Sequence, residues 1–525
     1  MTVLAIDVGT LSARAGLFAP DGALLATASR PFPLHRPAED QGVYRLAEIF
    51  AAVVEAARAC VGASPHRVTA LAFDATSSLA LEHDGAPPLA DGADVIGWMD
   101  HRGAAEAAEI AATGDRLLAH MGGTLSPEMH LPKLLWLKRR DPAAWARVRG
   151  VRDLCDALAW RATGMDAHSV CGLACKWAWL AGHAAEEDGP WRRRLLARIG
   201  LADLLERGAL SQAPRPVGAL HGTLLPEVAV AMGLPPGLPV ATGLIDGEAG
   251  TLGVLGEGFA GRINRTLAVV AGTSTCLMAS AAEERIIPGV WGPFKDAIFP
   301  GLWLHEAGQS LTGGALDALL LHHPGGPRTA SAAAHASVAA DALAAMAAEG
   351  PAFAARRHLL PDWQGNRAPL GDARVRAMLV GVGADTGPRA FLETYIATAR
   401  AIVLQVRHVA EHLSRHGYAI DRFALAGGHA NNPLLVRLYR DALPGQVLLS
   451  AAPEPVLLGT AMVAACAAGG TLLQQVERMA QPQLVLAADP LWRAAHDQAY
   501  RIYHAMLACR GALEAEMDHL AELRS

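Results

Sequence analysis

Short apolar runs alternate along the chain with longer Ala-rich stretches of helical period, the pattern of an α/β protein. Val3–Val8 predicts a first strand and Ala13–Ala19 a second. Pro20-Asp21-Gly22 then makes a turn into a third strand, Ala23–Ser29. Leu46 to Cys60 predicts a helix, and Val68–Phe73 a buried strand that ends at Asp74-Ala75-Thr76-Ser77-Ser78. From about 103 to 235 the pattern is mainly helical, with Pro and Gly breaks, before a strand over Leu238–Ile245 that ends at Asp246-Gly247. After the Gly-rich connector Gly253 to Gly261, the opening layout returns: strand Thr266–Ala271, the turn Gly272-Thr273-Ser274-Thr275, and strand Cys276–Ser280. Ile396, Ala399, Ile402, Val403, Val406, Val409, Ala410 and Leu413 mark one face of a helix over Glu393 to His412. A strand over Phe423–Ala426 then runs into Gly427-Gly428 and a helical stretch, Leu434–Ala442. The echo between the two openings places a domain boundary near 255, giving units 1–255 and 256–525.

Composition narrows the class. With 52% hydrophobic and only 18% charged residues in a chain of 525, a large core can form and disorder is excluded as the main state. The formal charge of −6 leaves no basic excess to neutralise a phosphate backbone, so nucleic acid is not expected as a partner. Seven scattered cysteines fit reduced thiols in a cytoplasmic protein. The first apolar run carries Asp7 and no basic residue, unlike a signal peptide. Pro455 to Leu473 and Thr266 to Ala282 are free of charge and close to spanning length, but their internal Gly, Thr and Ser fit buried core segments better, and no membrane association is expected.

Chemistry gathers at the turns. Asp7, Gly9, Thr10, Ser12 and Arg14 put a metal-capable carboxylate, a tight turn, two hydroxyls and a cation within eight residues, a set suited to phosphate. Gly272-Thr273-Ser274-Thr275 is a second such turn without charge. Each alone is equally an ordinary hairpin; as a pair opening two similar halves they suggest two hairpins gripping one polyphosphate. There is no G-x-x-x-x-G-K-[ST] motif. Gly427-Gly428, before a helical stretch, lets backbone approach a ligand, though such corners are also common packing devices. Asp246 at a strand end suits either a base at a substrate hydroxyl or a helix N-cap, and spacing alone favours the cap. Cys171 and Cys175, with His168 and His183 near in sequence, raise a zinc site, for which a buried i,i+4 pair is the plainer account. His322-His323 reads as a loop pair, and His101 as a residue of either the cleft or a solvated rim. Trp98 and Trp177 are the tryptophans to watch for stacking on a ligand face.

Asp7-x-Gly9-Thr10-x-Ser12-x-Arg14, Gly243-Leu244-Ile245-Asp246-Gly247, Gly272-Thr273-Ser274 and Gly427-Gly428-x-x-Asn431-Asn432 occur in the order and spacing of the FGGY carbohydrate kinases, and the chain resembles that family over essentially its whole length. Phe73 to Ser78, Trp98 to Arg102, Ser126-Pro127-Glu128-Met129 with Pro132-Lys133-Leu134-Leu135-Trp136, Cys175-Lys176-Trp177 and Glu306 to Ser310 look most like the ribulokinase and ribitol kinase branch. Glu248 stands where many relatives carry a smaller or different residue. The resemblance implies a two-domain actin-like, ribonuclease H-like fold around a cleft, with sugar held mainly by the N-terminal half and Mg2+-ATP mainly by the C-terminal half. It implies Asp246 as general base and Asp7 as the residue that orients magnesium through water. Thr10, Ser12 and Arg14 would face the transferring phosphoryl group. Gly272 and Thr273 would hold the ATP phosphates, Gly428 and Asn432 would border the adenosine, and Ser77, Lys176 and Glu306 would contact sugar. The implied reaction is phosphorylation of a five-carbon sugar, D-ribulose first, with ribitol, other pentitols, L-ribulose or xylulose as alternatives. A non-catalytic sensor or a chaperone-like ATPase is the reading from another class, since fold alone does not fix function. A homodimer is compatible with the resemblance.

Overall fold

The structure, a computed structural model, describes residues 2–522 apart from 178, 184, 187, 211 and 212. Its first sheet has six strands: β1 (Thr2–Val8), β2 (Ser12–Phe18), β3 (Leu24–Pro31), β4 (Val68–Ala75), β5 (Leu220–Thr223) and β6 (Pro239–Ile245), in the order β3-β2-β1-β4-β6-β5. Every residue of β1 is buried, whereas β3 alternates half-buried and exposed positions. A central strand covered on both faces and an edge strand wetted on one account for the two patterns. Helix α1 (Leu46–Gly62) covers β2 and β3.

The second sheet has seven strands: β7 (Thr266–Ala271), β8 (Thr275–Ala281), β9 (Trp291–Lys295), β10 (Trp303–Gln309), β11 (Arg422–Ala426), β12 (Gln446–Ser450) and β13 (Gln483–Leu486), in the order β9-β10-β8-β7-β11-β12-β13. The echo seen in sequence extends to topology. In the first sheet β3, β2 and β1 are antiparallel neighbours and β4 and β6 continue parallel. In the second, β10, β8 and β7 repeat the antiparallel part, and β11 and β12 the parallel part. Thr266 to Ala281 is thus a β-hairpin, and no described helix is long and apolar enough to cross a membrane.

Six further helices position the site: α2 (Val170–Lys176), α3 (Asp246–Val254), α4 (Gly313–His322), α5 (Pro388–Arg415), α6 (Pro433–Ala442) and α7 (Pro455–Ala467). Helix α3 follows β6 and packs against β7 and β11 of the second sheet; α7 follows β12 and packs against β1, β4 and β6 of the first. A chain boundary near 255 therefore follows α3 directly, while in space the two halves exchange these helices. The exchange depends on glycine. A Cβ on Gly459 of α7 would stand 1.9 Å from the Ala249 carbonyl oxygen, and one on Gly253 of α3 would stand 1.8 Å from that of Pro455. Both contacts are with backbone, which cannot swing aside. Gly459→Ala is expected to destabilise the protein by about 1–3 kcal/mol or more, read as a lower denaturant midpoint; an unchanged midpoint would show that the helices have room to part.

Candidate active site

Register brings three carboxylates together. In the parallel pairing of β1 with β4, Asp7 lies opposite Asp74; β6 pairs on the far side of β4, with Leu244 opposite Asp74, and Asp246 is the first residue beyond its end. The carboxyl ends of neighbouring parallel strands are where open α/β sheets take ligands. Asp7 and Asp74 are buried. Burial, then the negative charge of Asp7, pushes the Asp74 carboxyl well above the usual range, and pushes Asp246 up to about 7. Thr460 of α7 donates to one Asp74 oxygen, while the other is buried without a partner. Arg14 pairs with Asp7 and reaches across to Glu454, 3.0 Å away, just before α7.

Asp246 is not an N-cap. It is the first residue inside α3, the cap position belongs to Ile245, and the Asp246 carboxylate accepts from the adjacent Gly247 amide, at 2.8 Å. The spacing argument missed this because the strand runs into the helix without a turn residue between them.

In each hairpin turn the glycine amide closes the turn: that of Gly9 donates to the Ser12 carbonyl at 3.0 Å, and that of Gly272 to the Ser274 carbonyl, one residue nearer, at 2.8 Å. A Cβ built on Gly9 meets nothing nearer than 3.7 Å, and one on Gly272 nothing nearer than 4.0 Å. The fold does not need these glycines for space, so the room above them is available to a ligand. Gly427 differs: its φ is +82° and a Cβ would stand 2.4 Å from the Ala271 carbonyl oxygen, so it serves the packing of β11 against β7. Gly428 has open space over it, with Ala271 O at 3.9 Å. The Asn432 side chain caps α6, accepting from the Leu434 and Leu435 amides at 3.0 and 3.3 Å, and so holds the Gly-rich corner in place. The Thr273 carbonyl accepts from Thr312 and Gly314 amides at 2.8 and 3.2 Å, tying its turn to the start of α4. Thr10 accepts at its hydroxyl from the Trp98 indole, 3.2 Å away, and Ser12 is half-buried at the start of β2.

A second charged group surrounds Lys176, the last residue of α2 and a buried one. Burial opposes its charge, but Glu306 of β10 and Glu128 outweigh it and the Lys176 pKa rises. Lys176 Nζ lies 4.8 Å from the centre of the Trp291 ring, which Arg367 approaches at 5.2 Å. Arg367 binds Glu128 through both carboxylate oxygens, at 2.9 and 3.3 Å, joining the two halves. Glu248 of α3 is buried with one oxygen unpartnered; burial and Glu306 raise it to about 8. The Ser77 hydroxyl donates to Asp153 at 2.6 Å, and His130 shares the same carboxylate oxygen at 3.1 Å. Lys133, lowered to about 7 by burial, donates to the carbonyls of Gly97 and Trp98 at 2.8 and 3.1 Å.

The structure corrects two readings, those of Trp177 and His322, and sides with the plainer account of the cysteine pair, buried on α2. Trp177 is 1% exposed with its ring edge on His130, so it has no face open to a sugar. His168 contacts the Val151 carbonyl and His183 lies by Glu186 and Glu284, so neither joins Cys171 and Cys175, whose neighbour is Glu248. His322 belongs to the last turn of α4 rather than a loop, and the His323 ring meets Phe391. Asp74, Glu128, Asp153 and Arg367 carried no assigned role in sequence; the first two sit within named motifs, whereas Asp153 and Arg367 lay in stretches without any.

Residues 2–253 match the N-terminal domain of the FGGY family of carbohydrate kinases, and residues 267–468 match its C-terminal domain. The chain belongs to the FGGY family of carbohydrate kinases. This kinase is 33% identical to an FGGY carbohydrate kinase domain-containing protein of Danio rerio, over 95% of this chain and 96% of the relative. It is 30% identical to a D-ribulokinase of Saccharomyces cerevisiae, over 88% of this chain and 71% of the relative. Among solved structures, a xylulose kinase from Rhodospirillum rubrum superposes with a TM-score of 0.79 at 23% identity, covering 98% of this chain and 99% of that one. The fold is thus the actin-like two-domain fold of sugar kinases, and the kinase is a phosphotransferase acting on sugars.

Proposed function

We propose that this kinase transfers the γ-phosphoryl group of ATP to the 5-hydroxyl of a pentulose, D-ribulose before other pentuloses and pentitols. The observation that carries the reading is Asp246 at the end of β6, raised to about 7, between the carboxylates of Asp7 and Asp74 and the charged group around Lys176. The likeness to a yeast D-ribulokinase at 30% identity supports the substrate.

The residues present fit Mg2+ and ATP. Arg14 is shared by Asp7 and Glu454, and the charge of Asp7 that raises both Asp74 and Asp246 is one that a divalent cation would offset. The open space over Gly9, Gly272 and Gly428 fits phosphates and a nucleoside. Asp7 would hold the cation through water, which when bound offsets charge on the phosphates. Gly9, Thr10, Ser12, Gly272 and Thr273 would line the phosphate path, and Gly427, Gly428 and Asn432 would shape the nucleoside's side.

Lys176, Glu306 and Ser77 would bind sugar hydroxyls. Asp246 aligns the reacting hydroxyl and accepts its proton as the new P–O bond forms, late in a loose transition state. Its raised pKa makes it a better acceptor than an ordinary carboxylate. Its ionised form must be present, so kcat/KM is expected to fall as pH drops through about 7. A flat profile between pH 5 and 8 would contradict this assignment. Arg14 serves the phosphoryl group, not the sugar: Arg14→Ala is expected to lower kcat about tenfold, the equivalent of about 1.4 kcal/mol, with KM for sugar nearly unchanged.

A panel of pentuloses and pentitols assayed by coupled ADP release tests the substrate. D-Ribulose should give the highest kcat/KM. A wide preference for a triose polyol such as glycerol would overturn the pentulose assignment.

A further inference from the structure

We propose that His120, His183 and Glu284 form a transition-metal site, of zinc class, that clasps the two halves of the chain together away from the catalytic carboxylates. His120 ends the short helix Leu117–His120 and His183 ends the turn Ala181–His183, both in the first half; Glu284 lies between β8 and β9 in the second. Their ligand atoms lie within 4.8 Å of one another. The Nε2 atoms of both imidazoles converge on one oxygen of Glu284, at 3.2 Å from His183 and 3.9 Å from His120.

The other ring nitrogens are engaged as metal-bound histidines engage them. His183 Nδ1 faces the Glu186 carboxylate at 2.8 Å, and His120 Nδ1 faces the Pro293 carbonyl of β9 at 3.2 Å. With a cation between the Nε2 atoms and Glu284, each Nδ1–H donates outward and each remaining lone pair binds metal. Two imidazoles and a carboxylate suit zinc better than magnesium, and the partly exposed Glu284 leaves a fourth position for water.

Cys171, Cys175 and Glu248 are the competing cluster. Both cysteines sit on α2 and Glu248 on α3, all within the first half of the chain, so a cation held there would not join the two halves.

The test uses the full chain, stripped by chelator and titrated with Zn2+ against a chromophoric competitor in excess Mg2+. One tight equivalent is expected, with a higher thermal midpoint when bound. Glu186→Gln should weaken it about 10- to 100-fold, and His183→Gln or Glu284→Gln by more. Cys175→Ser should leave it unchanged, as should the Mg2+-supported kinase activity of Glu284→Gln. Co2+ in place of Zn2+ should show d–d bands without a thiolate charge-transfer band. Absence of a tight equivalent, binding indifferent to both His183→Gln and Glu284→Gln, or a thiolate band would overturn the proposal.

Discussion

Asp246→Asn is expected to lower kcat and kcat/KM together by about 10²- to 10⁴-fold, the usual consequence of losing a positioned general base. Asparagine keeps the size and the acceptor for the Gly247 amide but loses the basicity. Because the wild-type carboxyl is raised by burial and by Asp7, its loss also relieves a buried charge. The variant should therefore be at least as stable as the parent above pH 7. The acidic limb of the pH profile should vanish with the carboxylate. A variant with near-normal turnover would remove Asp246 from the chemistry; one that unfolds would assign it to the scaffold.

Lys176→Met is expected to act on the sugar side. The lysine answers Glu306 and Glu128 in a buried setting, and removing one member of such a group costs about 3–5 kcal/mol. Because the charges left behind neutralise by taking up protons, part of that cost should appear as lower stability at neutral pH and less at acid pH. Separately, KM for sugar should rise about 10²-fold or more, the equivalent of about 2.8 kcal/mol at 1.4 kcal/mol per decade. Lys176→Met with Glu306→Gln should restore stability but not sugar affinity. Restored affinity in the double variant would mean that the pair only supports the fold.

The motif residues were legible because each lies next to a glycine or at the end of an apolar run, where strand and turn patterns are clearest. Asp7, Gly272 and Asp246 belong to that group. The halves' echo was legible for the same reason, although the exchange of α3 and α7 was not: no local pattern tells which sheet a buried helix covers, and only close approaches such as that of Gly459 to Ala249 reveal it. The role of Asp74 depended on strand order, since Asp7 and Asp74 are neighbours only once β1 pairs with β4. Arg367 was invisible because its partner Glu128 is 239 residues away in the chain. Trp177 misled because a tryptophan beside a candidate sugar ligand has the same sequence signature whether it faces the cleft or the core.

The central claim is sugar-dependent phosphoryl transfer to a pentulose hydroxyl, and 31P NMR of the product tests it most directly. With D-ribulose, ATP and Mg2+, the account predicts a sugar phosphate ester at O5 formed in step with ADP, and almost no ADP when sugar is left out. ADP release of equal rate without sugar, with inorganic phosphate as its counterpart, would contradict it.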